Sequence, residues 1–156
     1  MRRGVVILIA LCLAPTAPAW AQITYVDAGA ATMVASGNMA SVAVPAGVAA
    51  DDILIVIVHT RDNVDSTMPV DWTQGVSGNG DTTNRLEVFW KRTTGTEAAP
   101  TVTRAAGNSG IATMYAFRGV VPTGDPFDVV GAVQSNAGSP ITTPAVPVSP
   151  EALWIP

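Results

Sequence analysis

The 156-residue chain is poor in several residue types at once: it has one cysteine, one histidine, 6% aromatic and 13% charged residues. A single thiol closes no disulfide within the chain, and one His with one Cys is too few ligands for a His/Cys zinc site, so zinc enzymes drop out. The scarcity of charge argues against a coiled coil, a charged helical bundle or a disordered acidic tail. Eight Lys and Arg against twelve Asp and Glu give a net charge of −4. That balance lacks the basic footprint a phosphate backbone selects, and no nucleic-acid partner is expected. What is abundant is apolar residues, at 48%, together with 14 Gly and 12 Pro. Such a composition suits many short strands joined by turns, and the length suits one domain around one core.

The first 21 residues read as a signal peptide. Met1-Arg2-Arg3 is a basic start, Val5 to Ala14 is an unbroken apolar run, and Ala19-Trp20-Ala21 sets small residues where a signal peptidase reads them. The run falls short of the roughly 20 residues a membrane-spanning helix needs, so no membrane span is expected after cleavage. Cys12 follows Leu11 rather than a small residue, which argues against lipidation. Cleavage after Ala21 removes Cys12, Arg2 and Arg3 and leaves a thiol-free domain, 22–156, with six basic against twelve acidic side chains. The expected destination is extracellular or the cell surface, with the periplasm as the other compartment.

Beyond residue 21 candidate strands recur between clusters of Gly, Pro, Asn and Asp. They run from Ile23 to Val26, Thr32 to Ala35, Ala40 to Val44, Ile53 to Thr60, Arg85 to Arg92, Thr101 to Arg104, Ile111 to Arg118, Phe127 to Val133, and from Leu153 onward. In Leu86-Glu87-Val88-Phe89-Trp90-Lys91, polarity predicts that Leu86, Val88 and Trp90 face the core and that Glu87 and Lys91 face solvent. By the same reasoning Ile111, Thr113, Tyr115 and Phe117 form the inner face of their strand. Ile53 to Val58 is aliphatic on both faces, so its second face is expected to lie under a loop, a hairpin or a partner subunit. Asn79-Gly80-Asp81 is a turn signal, and Ser77 to Asn84 reads as an exposed loop tip.

Several signatures follow one another: Asp51-Asp52-Ile53-Leu54-Ile55-Val56, Pro69-Val70-Asp71-Trp72-Thr73, Leu86 to Lys91, Tyr115-Ala116-Phe117-Arg118-Gly119-Val120, and Pro126-Phe127-Asp128. Together they resemble a β-sandwich domain, immunoglobulin-like or jelly-roll-like, that recurs in exported bacterial proteins and in phage structural and tail-associated proteins. The resemblance covers about residues 23 to 156 and implies an all-β antiparallel sandwich without a general catalytic motif. It also implies a further core strand beginning at Glu151-Ala152-Leu153-Trp154-Ile155, so the domain reads as truncated at its C-terminal end. Should the chain end at Pro156, the unfinished sheet would offer an edge for strand exchange or homo-oligomer formation.

Candidate sites are few. His59 closes the aliphatic strand on the face of Ile53, Ile55 and Ile57, and without a Gly-x-Ser-x-Gly elbow it reads as structural. Asp51, Asp52, Asp125 and Asp128 flank turns, which leaves glycoside hydrolysis by paired carboxylates a distant enzyme alternative. No cofactor is expected, with loop calcium the one metal to weigh. Its oxygen ligands would come from Asp62, Asp65, Asn79 and Asp81. Trp72, beside turn signals, and Phe89, on the polar side of its strand, are the aromatics placed for a carbohydrate platform, whereas Trp90 and Tyr115 are expected in the core. The resulting expectation is a secreted, non-catalytic structural or adhesive β-sandwich that meets a cell-surface or extracellular protein or glycan. A carbohydrate-binding module is the alternative.

Overall fold

The computed structural model describes residues 22–39, 41–80, 83–105, 107–128, 130, 131 and 133. The described chain is all-β, with eight strands and no helix. β1 is Thr24–Ala28, β2 Thr32–Val34, β3 Ile53–Thr60, β4 Ser66–Thr67, β5 Thr73–Asn79, β6 Arg85–Arg92, β7 Thr103–Arg104 and β8 Gly110–Arg118. Six of them form one antiparallel sheet in the order β1-β8-β3-β6-β5, with β2 also pairing β8. β4 and β7 form a small antiparallel sheet, extended by a bridge between Met39 and Val102. No helix of the described residues is long and apolar enough to cross a membrane.

β3 is the axis of the large sheet because its β-branched run suits a pleated surface and is flanked on both sides by long partners. Ile55 stands opposite Trp90 of β6 and Tyr115 of β8, and Val56 opposite Phe89 and Met114. Alternation then sorts the sheet into two faces. On the inner face Leu54, Val56, Val58, Phe89, Ala112, Met114 and Ala116 are buried, and Met39, Val42 and Val102 close over them. Trp72 and Met68 pack against the same cluster.

This assignment reverses the expected faces of β6 and β8. Glu87 is 0% exposed and Phe89 4%, whereas Leu86, Val88 and Trp90 lie half-buried on the opposite face. In β8 the inner residues are Ala112, Met114 and Ala116, and Tyr115 and Phe117 point the other way. The small inner side chains have a steric cause. A Cβ on Gly110 would stand 2.4 Å from Met39 Cε, so the second layer comes too close for aromatic rings on that side of β8.

Other boundaries also differ. Thr73–Asn79, with two glycines, is a full strand that takes in part of the expected loop tip, and the hairpin closes with Gly80 N–H donating to Asn84 O. Of the strand expected from Ala40 to Val44, the described residues Ser41 to Val44 are not strand, and Val42 N–H donates to Pro100 O. The described residues of 127–133 are not strand either. The expected strand from Leu153 lies outside the described residues, as does the 1–21 signal segment.

Candidate functional site

Four basic side chains organise the charged groups, and each holds at least one carboxylate. Arg118, at the end of β8, binds Asp52 in two places, Nε to Oδ1 at 2.8 Å and Nη2 to Oδ2 at 2.7 Å, across 66 residues of sequence. Asp52 is buried and also accepts from Ala49 N–H. The Arg118 hydrogen bonds lower its pKa from the ordinary 3.8 against the opposing pull of burial. Gly119 follows at φ +82°, where a Cβ would lie 2.4 Å from Gln22 O, so the Arg-Gly pair both clamps Asp52 and lets the chain pass β1.

Arg104 of β7 is buried, pairs with Asp62 and donates to Asn108 O at 2.9 Å. Asp62 also accepts from Asn108 N–H and Val64 N–H. Burial alone would raise the Asp62 pKa, and these donors together hold it below the usual value. Lys91 Nζ sits 2.5 Å from Asp71 and 2.6 Å from Glu97. Both acids have lowered pKa values and Lys91 a raised one, so all three remain charged near neutrality. Arg85 reaches Asp65, Asn79 Oδ1 and Ser77 Oγ, and its Nε lies 3.1 Å from Glu87 Oε1. The buried Glu87 further accepts from Ser66 N–H at 2.9 Å and Gln74 Nε2 at 3.3 Å. The donors and the nearby guanidinium offset the loss of hydration, which is why a carboxylate sits on the inner face.

The expected site residues other than Asp81 are therefore placed. Among the calcium candidates Asp62 holds Arg104, while Asp65 and Asn79 both hold Arg85, so guanidinium groups occupy the cation positions; Asp81 lies outside the described residues. Among the described residues no three His, Cys, Asp or Glu side chains gather as a metal site would require. Phe89 is a core residue, which corrects the expectation that it belongs to an exposed platform, and Trp72 is half-buried against the core. Trp90 and Tyr115, expected inside, lie on the outer face instead.

That outer face is the most unusual surface of the molecule. One end carries Ile53, Phe117 and Tyr25 in register, with Tyr25 and Phe117 edge to face at 5.9 Å and Tyr25 55% exposed. Trp90, Ile55 and Tyr115 form the next row. The far end carries Leu86, His59, Ile111 and Met33, beside Ile57. Met33 is 77% and Ile57 37% exposed. A stretch after β8 covers part of it, because a Cβ on Gly75 would meet the Phe127 ring at 2.6 Å and one on Gly78 the Val133 Cβ at 2.7 Å. Two shallow depressions follow this contact, one of about 220 Å³ along Val76, Val88, Phe127 and Val130, the other of about 180 Å³ along His59, Leu86, Arg85 and Val133. The cover over the outer face is thus a partial one: Ile53 at one end of β3 is 1% exposed, and the β3–β8 side is open toward the other end, at Ile57 and Ile111.

Polarity counting missed the Arg85–Glu87 cluster, but a signal for the Asp52–Arg118 clamp was present. Asp51-Asp52 opens one central strand and Arg118-Gly119 closes its antiparallel neighbour, which brings the two together at one end of the sheet. Comparison of the chain with protein-family models, curated proteins and solved structures returns no significant match.

Proposed function

We propose that the chain is a secreted, non-catalytic structural or adhesive module, a β-sandwich of immunoglobulin-like or jelly-roll type that meets a cell-surface or extracellular protein or glycan. The observation that carries this reading is the use of its charges as braces. Asp52, Asp62, Asp71 and Glu97 are each tied to a cation and held ionised by lowered pKa values. A glycosidase needs one carboxyl kept protonated as general acid, and these pairs work in the opposite direction. The two sheets share one buried cluster, in keeping with a sandwich. The basic start, apolar run and Ala19-Trp20-Ala21 of the first 21 residues support export.

The test is attachment without turnover. Beads coated with residues 22–156 are offered to intact bacterial cells, isolated envelopes and insoluble polysaccharides, and soluble sugar is assayed alongside. Retention with no sugar release is the expected result. Sugar release that Asp71→Asn or Glu97→Gln abolishes would instead establish a hydrolase. The carbohydrate-binding alternative rests on the exposed Tyr25 beside Phe117, and retention that soluble oligosaccharide competes away and Tyr25→Ala abolishes would favour it.

A further inference from the structure

Asn79 and Gly80 lie where β5 enters its hairpin, and the backbone there makes no use of what an Asn-Gly pair usually supplies. Neither residue has a positive φ, and a Cβ on Gly80 would meet nothing nearer than Asn84 Cβ at 3.8 Å. A side chain at position 80 therefore fits, and what remains of the pair is its reactivity. Of the six asparagines in the chain, at 38, 63, 79, 84, 108 and 136, Asn79 is the one followed by glycine. Asn79 is exposed, and its Oδ1 accepts from Arg85 Nη1 at 2.8 Å. We propose that Asn79 is a self-modification site, which deamidates through attack by the Gly80 nitrogen whenever this end of the β5–β6 hairpin opens. The inference goes beyond the adhesive reading and does not depend on it.

The reaction needs only the chain and water. Gly80 N–H gives its proton to a solvent base, and the nitrogen attacks Asn79 Cγ. The Cγ–Nδ2 bond breaks and ammonia leaves with a proton from solvent, which closes a five-membered succinimide. Water then opens the ring at either carbonyl and leaves aspartate or isoaspartate at position 79. Glycine favours the first step because no Cβ shields its nitrogen. Two contacts act on the rate in opposite directions. The Arg85 guanidinium polarises the Asn79 amide carbonyl toward attack and stays in place to pair with the carboxylate that forms. Gly80 N–H donates to Asn84 O at 2.9 Å, so the nucleophile is released only when this last hairpin bond breaks. That opening is local, since the bond lies at the end of an outer strand of the described sheet. The new carboxylate becomes the third around Arg85, beside Asp65 and Glu87, and isoaspartate lengthens the backbone where Asn79 stands opposite Arg85 in the ladder.

Incubation of the 22–156 chain near pH 8 and 37 °C, followed by peptide mapping for isoaspartate and for a gain of about 1 Da, tests this. The proposal expects conversion at position 79 ahead of every other asparagine, about tenfold slower in the folded chain than in the same chain unfolded in urea. Gly80→Ala, which the backbone accepts, is expected to leave the melting temperature unchanged and to slow conversion by about tenfold or more. Absence of conversion at position 79 after about a hundred half-lives of the unfolded chain, or earlier conversion of another asparagine, overturns the site. Equal rates in the folded and unfolded chains overturn the control by the hairpin. Equal rates in the wild type and Gly80→Ala overturn attack by Gly80, and the same two chains compared in urea read that step even if the variant does not fold.

Discussion

The two faces of the large sheet are built from alternate residues of the same strands, yet they solve opposite problems. The inner face carries small and medium apolar side chains in the middle and charged groups around the rim, and the rim charges pair with acids in the connections that flank the strands. Arg85, Lys91 and Arg118 all project from this side, toward Asp65, Asp71, Glu97 and Asp52. The outer face has larger apolar side chains, few charges and less cover. The face with the more hydrophobic residues is therefore the less buried one, which shows that burial follows what packs against a face rather than its polarity. A carboxylate can go inside when donors await it, as Ser66 N–H and Gln74 await Glu87.

The comparison can be broken most forcefully at Phe89. Phe89→Ala is expected to cost about 3–5 kcal/mol by leaving a cavity among Val56, Met114 and their neighbours, whereas Trp90→Ala, one residue along, should cost clearly less despite removing a larger ring. Urea unfolding of the two variants checks the ordering.

Arg104→Met comes next, at about 3 kcal/mol, because it strips the cation from Asp62 in a largely buried pair. The acid limb of the stability curve sharpens the same point. Asp52, Asp62, Asp71 and Glu97 have lowered pKa values in the folded protein, so the stability they add is fully present above the ordinary carboxylate range. It is lost as pH falls through their folded values, below about pH 4. Without Arg104, burial pushes the Asp62 pKa upward, and the acid-induced loss becomes shallower in that variant. Melting temperatures between pH 2 and pH 7 for both proteins measure this.

Gly75→Ala tests the partial cover of the outer face. The added Cβ would meet the Phe127 ring at 2.6 Å, and a cost of about 1–2 kcal/mol is expected, with a matching rise in the hydrogen exchange of Phe127. The smallest effect is expected at Met33→Ser, within about 0.5 kcal/mol by thermal melting, because the side chain is mostly exposed.

Much of the architecture could be read from residue patterns alone. β3 and β6 have the bounds expected from Ile53 to Thr60 and Arg85 to Arg92, and β8 begins one residue early, since an aliphatic or alternating run between turn residues specifies a strand whichever face is inside. The polarity of β6 could not be read. Leu86, Val88 and Trp90 outweigh Phe89 on any hydrophobic count, and the groups that admit Glu87 come from Ser66, 21 residues away, and Gln74, 13 residues away. β5 was hidden for a local reason. Gly75 and Gly78 resemble turn residues, but they are small because Phe127 and Val133 press against them. The aromatic candidates moved as a consequence: Phe89 followed Glu87 inward, and Trp90 went outward with Val88.

The measurement that bears most directly on the reversed faces is the urea unfolding midpoint of Glu87→Ala relative to the wild type. Removal of the carboxylate leaves Arg85 without its inner partner and Ser66 N–H without an acceptor, so a loss of about 3 kcal/mol is expected. A change within about 0.5 kcal/mol, the behaviour of a surface glutamate, would contradict the account and return Glu87 to the solvent face.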